Sequence, residues 1–286
     1  MKVAHKNKHV WGSASFLVAV SLLSLPSCGN RGSGITPSPE PESNASLSSS
    51  FCCEELYFSE GLRYEQNEAR TGYIVMEIGT CSDVTIQLPS TYLGLPVIGI
   101  GKEAFKDNDK ITSIAFPSSI KSIGEGAFSG CTALTNVSIN DGLTTIGDEA
   151  FYWCHALNTI DLPDSLTSIG QLAFFDSGLA RNPVNYVDNA LLVDGWICSA
   201  QSVSGDYVVP SSIIGLSEYV FSNNNKVTSI DIPVSVVHYG SGHLFDFSDK
   251  LTSITIERNV NPGSYVLSRF HADASFHEEN RIRYIK

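Results

Sequence analysis

The sequence predicts a solenoid, in which short repeats stack on one another and share a single hydrophobic core. Four columns of identical residues recur every 23 residues in the middle of the chain, and each repeat also carries a short alternating apolar run. A unit of this length cannot close a core alone, so its apolar side chains must meet those of the units above and below. We therefore expect a parallel β-sheet on one face and short helical or irregular turns on the other.

The four columns are formed by Ile, Gly, Ala and Phe. Their members are Ile100, Ile123, Ile146 and Ile169; Gly101, Gly124, Gly147 and Gly170; Ala104, Ala127, Ala150 and Ala173; and Phe105, Phe128, Phe151 and Phe174. We expect the glycine to allow a tight backbone turn and the Ala-Phe pair to fill the side of the core opposite the sheet.

The alternating runs predict the strands of the sheet. They read ITSIAFP at 111–117, LTNVSIN at 134–140, LNTIDLP at 157–163, VTSIDIP at 227–233 and LTSITIE at 251–257. Apolar and polar residues alternate in each run, as in a half-buried strand. Stacking should place equivalent strands side by side, about 4.8 Å apart.

The combined pattern I-G-x-x-A-F-x-x-C-x-x-L-x-x-I-x-I-P resembles the BspA-like leucine-rich repeat of bacterial surface proteins. On this resemblance, residues 100–256 are the repeats, residues 51–99 a strand-rich N-terminal cap and residues 257–286 a C-terminal cap. Regularity fails between Phe174 and Phe221, where residues 186–209 predict a strand pair that projects from the stack around Asp194-Gly195. The resemblance implies attachment to host matrix proteins or to neighbouring cells.

The N-terminus has the features of an export signal. Residues 1–27 combine a basic start with an apolar run and end in LPSC, which resembles a bacterial lipobox with Cys28 as the lipidated residue. An ordinary secretory signal is the alternative, and the protein would then be secreted. Residues 28–50 are rich in Ser, Gly and Pro, which is typical of a flexible tether. We expect a lipid-anchored protein of the bacterial cell envelope, exposed at the surface.

The charge balance excludes some partners. The formal net charge is −12, so nucleic acid and anionic lipid surfaces should repel the chain. Membrane attachment must then come from acyl chains on Cys28 alone.

Neither the cysteines nor the known motifs predict a reaction. Cys131 and Cys154 fall in one column of the repeat, which favours buried thiols, while a disulfide from Cys52 or Cys53 to Cys81 stays open. The sequence contains no G-x-S-x-G, HExxH, phosphate loop or dinucleotide fingerprint. We predict no enzyme activity, no cofactor and no metal site.

Two groups of residues are candidates for partner binding. The strand alternation turns small hydrogen-bonding residues outward on one face: Asn136, Ser138, Thr159, Asp161, Ser229 and Asp231. Simple solvation is their alternative interpretation. Four aromatic residues outside the core columns form the second group: Tyr152, Trp153, Phe175 and Trp196. Exposed rings can dock a protein or a sugar, or these rings can pack under the N-terminal cap or the projecting strands.

The sequence thus predicts a monomeric surface lipoprotein whose repeats recognise an extracellular or cell-surface protein. The alternative is an accessory lipoprotein that captures glycans for a nutrient uptake system. The two differ in the chemistry of the partner, which the sequence does not identify.

Overall fold

Each turn of the chain adds strands to two parallel ladders. The computed structural model describes residues 58–240, 244–257 and the backbone of 282–285. These residues form a β-solenoid of about eight turns with almost no helix, which confirms the predicted fold class. The predicted signal peptide (1–27), Cys28, the tether (28–50), Cys52, Cys53 and most of the C-terminal cap lie outside the described residues.

The strands are short, and the two helical segments of the described residues both precede the strand pair at 186–199. The elements in chain order are β1 (Arg63–Gln66), β2 (Tyr73–Glu77), β3 (Thr85–Gln87), β4 (Thr91–Tyr92), β5 (Leu95–Ile100), β6 (Ser113–Ala115), β7 (Ser122–Ile123), β8 (Asn136–Ser138), β9 (Thr145–Ile146), β10 (Ser168–Ile169), α1 (Gly178–Arg181), a 3₁₀ turn (Pro183–Asn185), β11 (Tyr186–Val187), β12 (Ala190–Val193), β13 (Trp196–Ser199), β14 (Gly205–Val208), β15 (Gly215–Leu216), β16 (Val227–Ile232), β17 (His238–Tyr239), β18 (Ser253–Glu257) and β19 (Ile282–Ile285).

The first ladder is the one predicted from the alternating runs. It consists of a three-stranded sheet, β3-β6-β8, and a four-stranded sheet, β14-β16-β18-β19, all parallel. Inward residues lie in register: Ile114 pairs with Val137, and Ile230 pairs with Ile254. All four are buried, so the outward residues between them face solvent.

The second ladder comes from the Ile-Gly column, which the sequence predicted as a turn. Strands β5, β7, β9 and β10 pair in parallel, with Ile100, Ile123, Ile146 and Ile169 in one row. The position after each Ile requires glycine because the backbones of successive rungs approach closely there, and not because the chain turns. A Cβ on Gly147 would lie 2.7 Å from the backbone nitrogen of Glu125 in the previous rung. Because real Cβ atoms do not approach that closely, only glycine lets successive rungs close together.

The phenylalanine column forms the centre of the core. Phe105, Phe128, Phe151 and Phe174 stack in order, with ring centroids 5.1, 5.4 and 5.6 Å apart and interplanar angles of 5° or less. All four are at most 1% exposed. The predicted column is therefore confirmed, and Phe221 and Phe245 continue the same stacking in the C-terminal rungs at 5.6 Å.

The cysteine column is buried beside the phenylalanines, as predicted. Cys131 and Cys154 are free thiols with no exposed surface. Each Sγ donates a hydrogen bond, 3.1 Å long, to the carbonyl of the Phe one rung earlier, Phe105 and Phe128 respectively. Burial raises the pKa of both thiols, that of Cys131 to about 12. In a later rung Asn224 takes the equivalent place and donates to the carbonyls of two other residues.

Residues 157–163 were predicted as a strand, and this prediction is wrong. The run has no strand in the structure, although Ile160 remains buried. In a regular rung the backbone N–H at the position equivalent to Leu162 donates a hydrogen bond to a carbonyl of the next rung. The N–H of Phe116, for example, donates to the Ser138 carbonyl at 2.9 Å. Here the N–H of Leu162 donates to the Asp194 carboxylate instead, at 2.8 Å. The irregular segment after Phe174 has displaced the neighbouring strand, and a side chain satisfies the donor.

The strand pair predicted at 186–209 is present but does not project. Strands β12 and β13 pair antiparallel around Asp194 and Gly195, whose φ angles of +42° and +84° fit the predicted tight turn. However, β13 also pairs in parallel with β15, and β14 with β16, so both belong to the ladders. The apolar residues of β13 explain this, since Ile197 has no exposed surface.

The N-terminal strands extend the second ladder. Strand β2 pairs in parallel with β5, and β1 pairs antiparallel with β2 at the outer side. Tyr64 on β1 stacks on Tyr92 at 4.2 Å. Strand β3 separately begins the first ladder, so this region supplies a first strand to each.

Candidate functional site

The rungs turn from the second ladder to the first through two residues in the left-handed backbone conformation, four positions apart. The first is Glu103, Gly126, Glu149, Leu172 or Tyr219, and we call the second the turn position. This turn position is held by Asp107, Gly130, Trp153, Asp176, Asn223 and Phe247, with φ between +52° and +75°. Gly, Asn and Asp tolerate that conformation best, and four of the six rungs use them. Trp153 and Phe247 are the bulky exceptions.

The backbone of Trp153 is fixed by a hydrogen bond between rungs. Its N–H donates to the Phe175 carbonyl at 3.0 Å, and the N–H groups of Asp107, Gly130 and Asn223 make the same bond in their rungs. The stack therefore imposes the conformation on whatever residue stands there. A tryptophan in that place is held against its local preference.

Three aromatic rings form a continuous surface at this turn, which we call the aromatic patch: Tyr152, Trp153 and Phe175. The Tyr152 ring stacks on Phe175 with centroids 5.3 Å apart and lies 5.1 Å from the Trp153 ring. Trp153 is 48% exposed and Phe175 is 47% exposed. The structure thus brings these three predicted residues together and leaves about half of the two outer rings open to solvent.

A charged pair borders the patch beside Phe175. Arg181 donates two hydrogen bonds to the Asp176 carboxylate, at 2.8 and 2.9 Å, and His155 Nε2 lies 3.7 Å from the same carboxylate. The Arg181 guanidinium, helped by His155, holds the pKa of Asp176 below its usual range. Asp176 is therefore an anion whose charge is largely balanced by Arg181 at neutral pH.

A cleft opens beside Phe175 and Asp176, between their rung and strands β11 to β13. Its volume is about 270 Å³, and its lining includes Phe175, Asp176, Tyr186, Asn189, Cys198 and Gln201. The Tyr186 hydroxyl donates to the Ala180 carbonyl at 2.9 Å, which fixes that ring at the cleft wall. Burial raises the pKa of the Cys198 thiol. Sequence reasoning missed this cleft because it exists only where the irregular segment meets the regular stack.

Trp196 does not belong to the patch. It was predicted as an exposed ring, but only 1% of it is exposed. Its ring stacks on His238 with centroids 5.7 Å apart. A Cβ on Gly215 would come within 2.6 Å of the indole, so the absence of a side chain there gives the ring its space. The apolar register of β13 places Trp196 in the core.

The predicted strand face is divided into two parts. Asn136 and Ser138 are exposed on β8, and Asp231 is exposed on β16 beside the half-buried Ser229. Thr159 and Asp161 are exposed on the segment between the two sheets, which is not a strand. The Ser229 hydroxyl donates to Asp206 at 2.6 Å, and this bond, with one from Thr228, lowers the pKa of Asp206.

Within residues 58–240 and 244–257, no group of three or more His, Cys, Asp or Glu side chains could hold a metal ion. No helix in that same part of the chain has the length and apolar character of a membrane span.

Comparison with known proteins places these repeats in a family. The family model described as the BspA type leucine rich repeat region matches in six copies, over residues 84–185 and 199–285. The chain belongs to this family. A search of curated proteins finds no match to the chain.

Several solved structures of bacterial leucine-rich repeat proteins are similar to this BspA-type chain. One is the leucine-rich repeat protein of T. pallidum, with 25% identity, 68% of this chain and 82% of that chain covered, and a TM-score of 0.43. A protein of Bacteroides capillosus is 27% identical, with 38% and 83% covered and a TM-score of 0.36. A protein of Bacteroides ovatus is 20% identical, with 70% of each chain covered and a TM-score of 0.39.

Proposed function

We propose that this BspA-type protein recognises another protein at the bacterial cell surface through the aromatic patch. Leucine-rich repeat proteins generally bind other proteins, and BspA-type members are typically bacterial surface proteins. The observation that carries the proposal is Trp153, a half-exposed indole at a turn position where Asp, Gly or Asn stands in four other rungs.

The energetics of that position support a role outside the fold, because Trp153 is more exposed than the half-buried Leu172 and Tyr219, which share the left-handed conformation. An ordinary side chain in the left-handed conformation costs about 1–2 kcal/mol relative to a residue that tolerates it. A residue that breaks a local rule without an evident structural gain is expected at a functional site. Large aromatic rings bordered by polar groups are typical of the few residues that dominate protein interfaces.

The patch is also suited to binding because it is already ordered. Tyr152 and Phe175 stack on each other, and the Trp153 backbone is bonded to the next rung. Rings that are fixed before binding lose little conformational freedom when a partner docks. The proposed partner is a host matrix protein or a protein on a neighbouring cell, bound by a monomeric chain.

The experiment compares two variants at equivalent turn positions. Trp153→Asn removes the ring of the patch, and Phe247→Asn removes the other bulky turn residue, which is 71% exposed and lies outside the patch. Both place a well-tolerated residue in the left-handed conformation, so both should fold. We expect attachment of expressing cells to matrix-protein and cell layers to fall at least tenfold for Trp153→Asn and to be unchanged for Phe247→Asn. Equal attachment by the two variants would refute the proposal.

The envelope location is a separate part of the proposal. The LPSC sequence supports lipidation at Cys28, and the Ser-, Gly- and Pro-rich residues 28–50 would hold the repeats away from the membrane. Cys28→Ser should abolish incorporation of a labelled fatty acid and release the protein from the membrane fraction. Protease treatment of intact cells should digest the wild-type protein if it is exposed at the surface.

The cleft supports glycan capture as a second candidate function. Its lining combines the rings of Phe175 and Tyr186 with the amides of Asn189 and Gln201, and rings with nearby polar groups suit a sugar. Saturable binding of oligosaccharides measured by calorimetry, without affinity for any protein, would favour this function. Fluorescence is not a suitable readout, because Trp153 does not line the cleft and Trp196 is buried.

A further inference from the structure

The basic residues are distributed unevenly along the repeats. Between Lys121 and Lys226 the chain carries eleven Asp and Glu residues and a single basic residue, Arg181. The aromatic patch lies within this stretch. The N-terminal rungs differ, because there Lys102 pairs with Glu125 at 3.0 Å and Lys106 with Glu103 at 2.7 Å.

Arg181 does not offset this excess of negative charge. Its guanidinium is already bonded twice to Asp176, so the two groups form a nearly neutral pair. Asp148 and Glu149 lie on the same turn as Tyr152 and Trp153, without a Lys or Arg on that turn. Lys106 faces Glu149 from a neighbouring rung, but its ammonium group is already bonded to Glu103 at 2.7 Å. The potential around the patch is therefore negative, and it would attract cations and repel anions.

Given this surface, we propose that the segment bound by the aromatic patch is basic, a peptide whose arginine or lysine side chains lie on the exposed rings. This inference rests on the proposed function, and it names the chemistry of the partner. The face of an indole attracts a cation, and Trp is the strongest of the aromatic residues in this respect. The Trp153 ring and the surrounding carboxylates thus both favour a positively charged side chain.

Arginine should be preferred to lysine. Its flat guanidinium stacks on an aromatic face and is less strongly hydrated than an ammonium group. Trp153 offers surface for such stacking, since 48% of the residue is exposed. Phe175 next to it offers a second ring at 47% exposure.

The test uses the full chain in a Trp11→Phe background, so that fluorescence comes from exposed Trp153 and buried Trp196. Three synthetic peptides of equal length alternate Gly-Ser with arginine, with its neutral isostere citrulline, or with glutamate. The arginine peptide should shift Trp153 emission and bind at least tenfold more tightly than the citrulline peptide, and the glutamate peptide should not bind. Raising salt from 50 to 300 mM should weaken arginine-peptide binding several-fold, because exposed charges are screened.

Variants separate the contribution of the ring from that of the charge. Trp153→Asn should weaken binding of the arginine peptide at least tenfold, measured by calorimetry, and Phe247→Asn should leave it unchanged. Glu149→Gln should weaken it about twofold, as one exposed charge does, while the matched change Asp249→Asn, outside the stretch, should have no effect.

The outcomes also distinguish failure of this inference from failure of the proposed function. Equal affinity for the arginine and citrulline peptides, or binding that does not respond to salt, would overturn the basic partner. If Trp153→Asn nevertheless abolished cell attachment, the patch would still be the recognition site, for a partner of other chemistry. Binding of oligosaccharides with no binding of any peptide would overturn both.

Discussion

The stacked phenylalanines make a quantitative prediction about stability. Phe151 has no exposed surface and lies between two parallel rings, Phe128 at 5.4 Å and Phe174 at 5.6 Å. Replacing a buried Phe with Ala costs about 3–5 kcal/mol through lost burial and the cavity that remains. Each well-placed aromatic pair adds about 0.5–1.5 kcal/mol. Phe151→Ala loses two such pairs, so we expect the upper end of the range, about 5 kcal/mol.

Phe105 is the matched control, since it occupies the same column at the first regular rung. It is 1% exposed and stacks on one ring of the described column, Phe128 at 5.1 Å. Phe105→Ala loses one aromatic pair, so it should be about 1 kcal/mol less destabilising than Phe151→Ala.

Urea unfolding followed by circular dichroism and by Trp196 fluorescence measures both changes. The indole of Trp196 is buried in the stack, so its emission reports loss of the core. The midpoint should fall in proportion to the lost stability, with an unchanged slope if the whole stack unfolds together. A loss below about 2 kcal/mol for Phe151→Ala, or an equal loss at both positions, would refute the view that the ring column is the main cohesive element.

Two further predictions concern the neighbouring columns. Gly147→Ala should destabilise the protein by about 1–3 kcal/mol in the same urea experiment, because the new Cβ would lie 2.7 Å from the Glu125 nitrogen. An unchanged free energy of unfolding would show that successive rungs can separate freely. For Cys131, burial raises the folded-state pKa from 9.0 to about 12, so the folded state keeps a proton that the unfolded state loses. The stability it contributes is fully present below about pH 9 and is lost as the pH rises toward 12, and Cys131→Ala should flatten this part of the stability profile measured by urea unfolding. An identical profile in the variant would contradict the assignment.

Much of the regular stack could be predicted because periodicity reports packing directly. A residue that recurs every 23 positions, such as Phe128, must occupy the same environment in each rung, and burial is the environment that selects a large ring. The same argument placed Cys131 and Cys154 correctly. The column of glycines was recognised too, although its cause was not, because periodicity shows that a side chain is excluded but not what excludes it.

The errors fall where the period is broken. The run at 157–163 has the strand pattern, but its partner strand is displaced and Asp194 takes the hydrogen bond of Leu162. Trp196 was read as exposed because the segment around it was expected to project, while in the structure β13 joins the ladder and carries the ring inward. An alternating sequence of apolar and polar residues identifies a single strand. Which strand it pairs with depends on the packing of the whole stack.

The structure favours the turns over the strand face as the place of the proposed recognition. The strand face is interrupted between β8 and β14, and some of its polar groups bond to each other, as Ser229 does to Asp206. The turn position instead combines a backbone fixed by a bond between rungs with a side chain that leaves the core, as at Trp153. A residue there can change without altering the core columns, yet it is presented rigidly. In this chain the turn position between the Phe and Cys columns holds Trp153, in place of the Asp, Gly or Asn that the left-handed backbone favours.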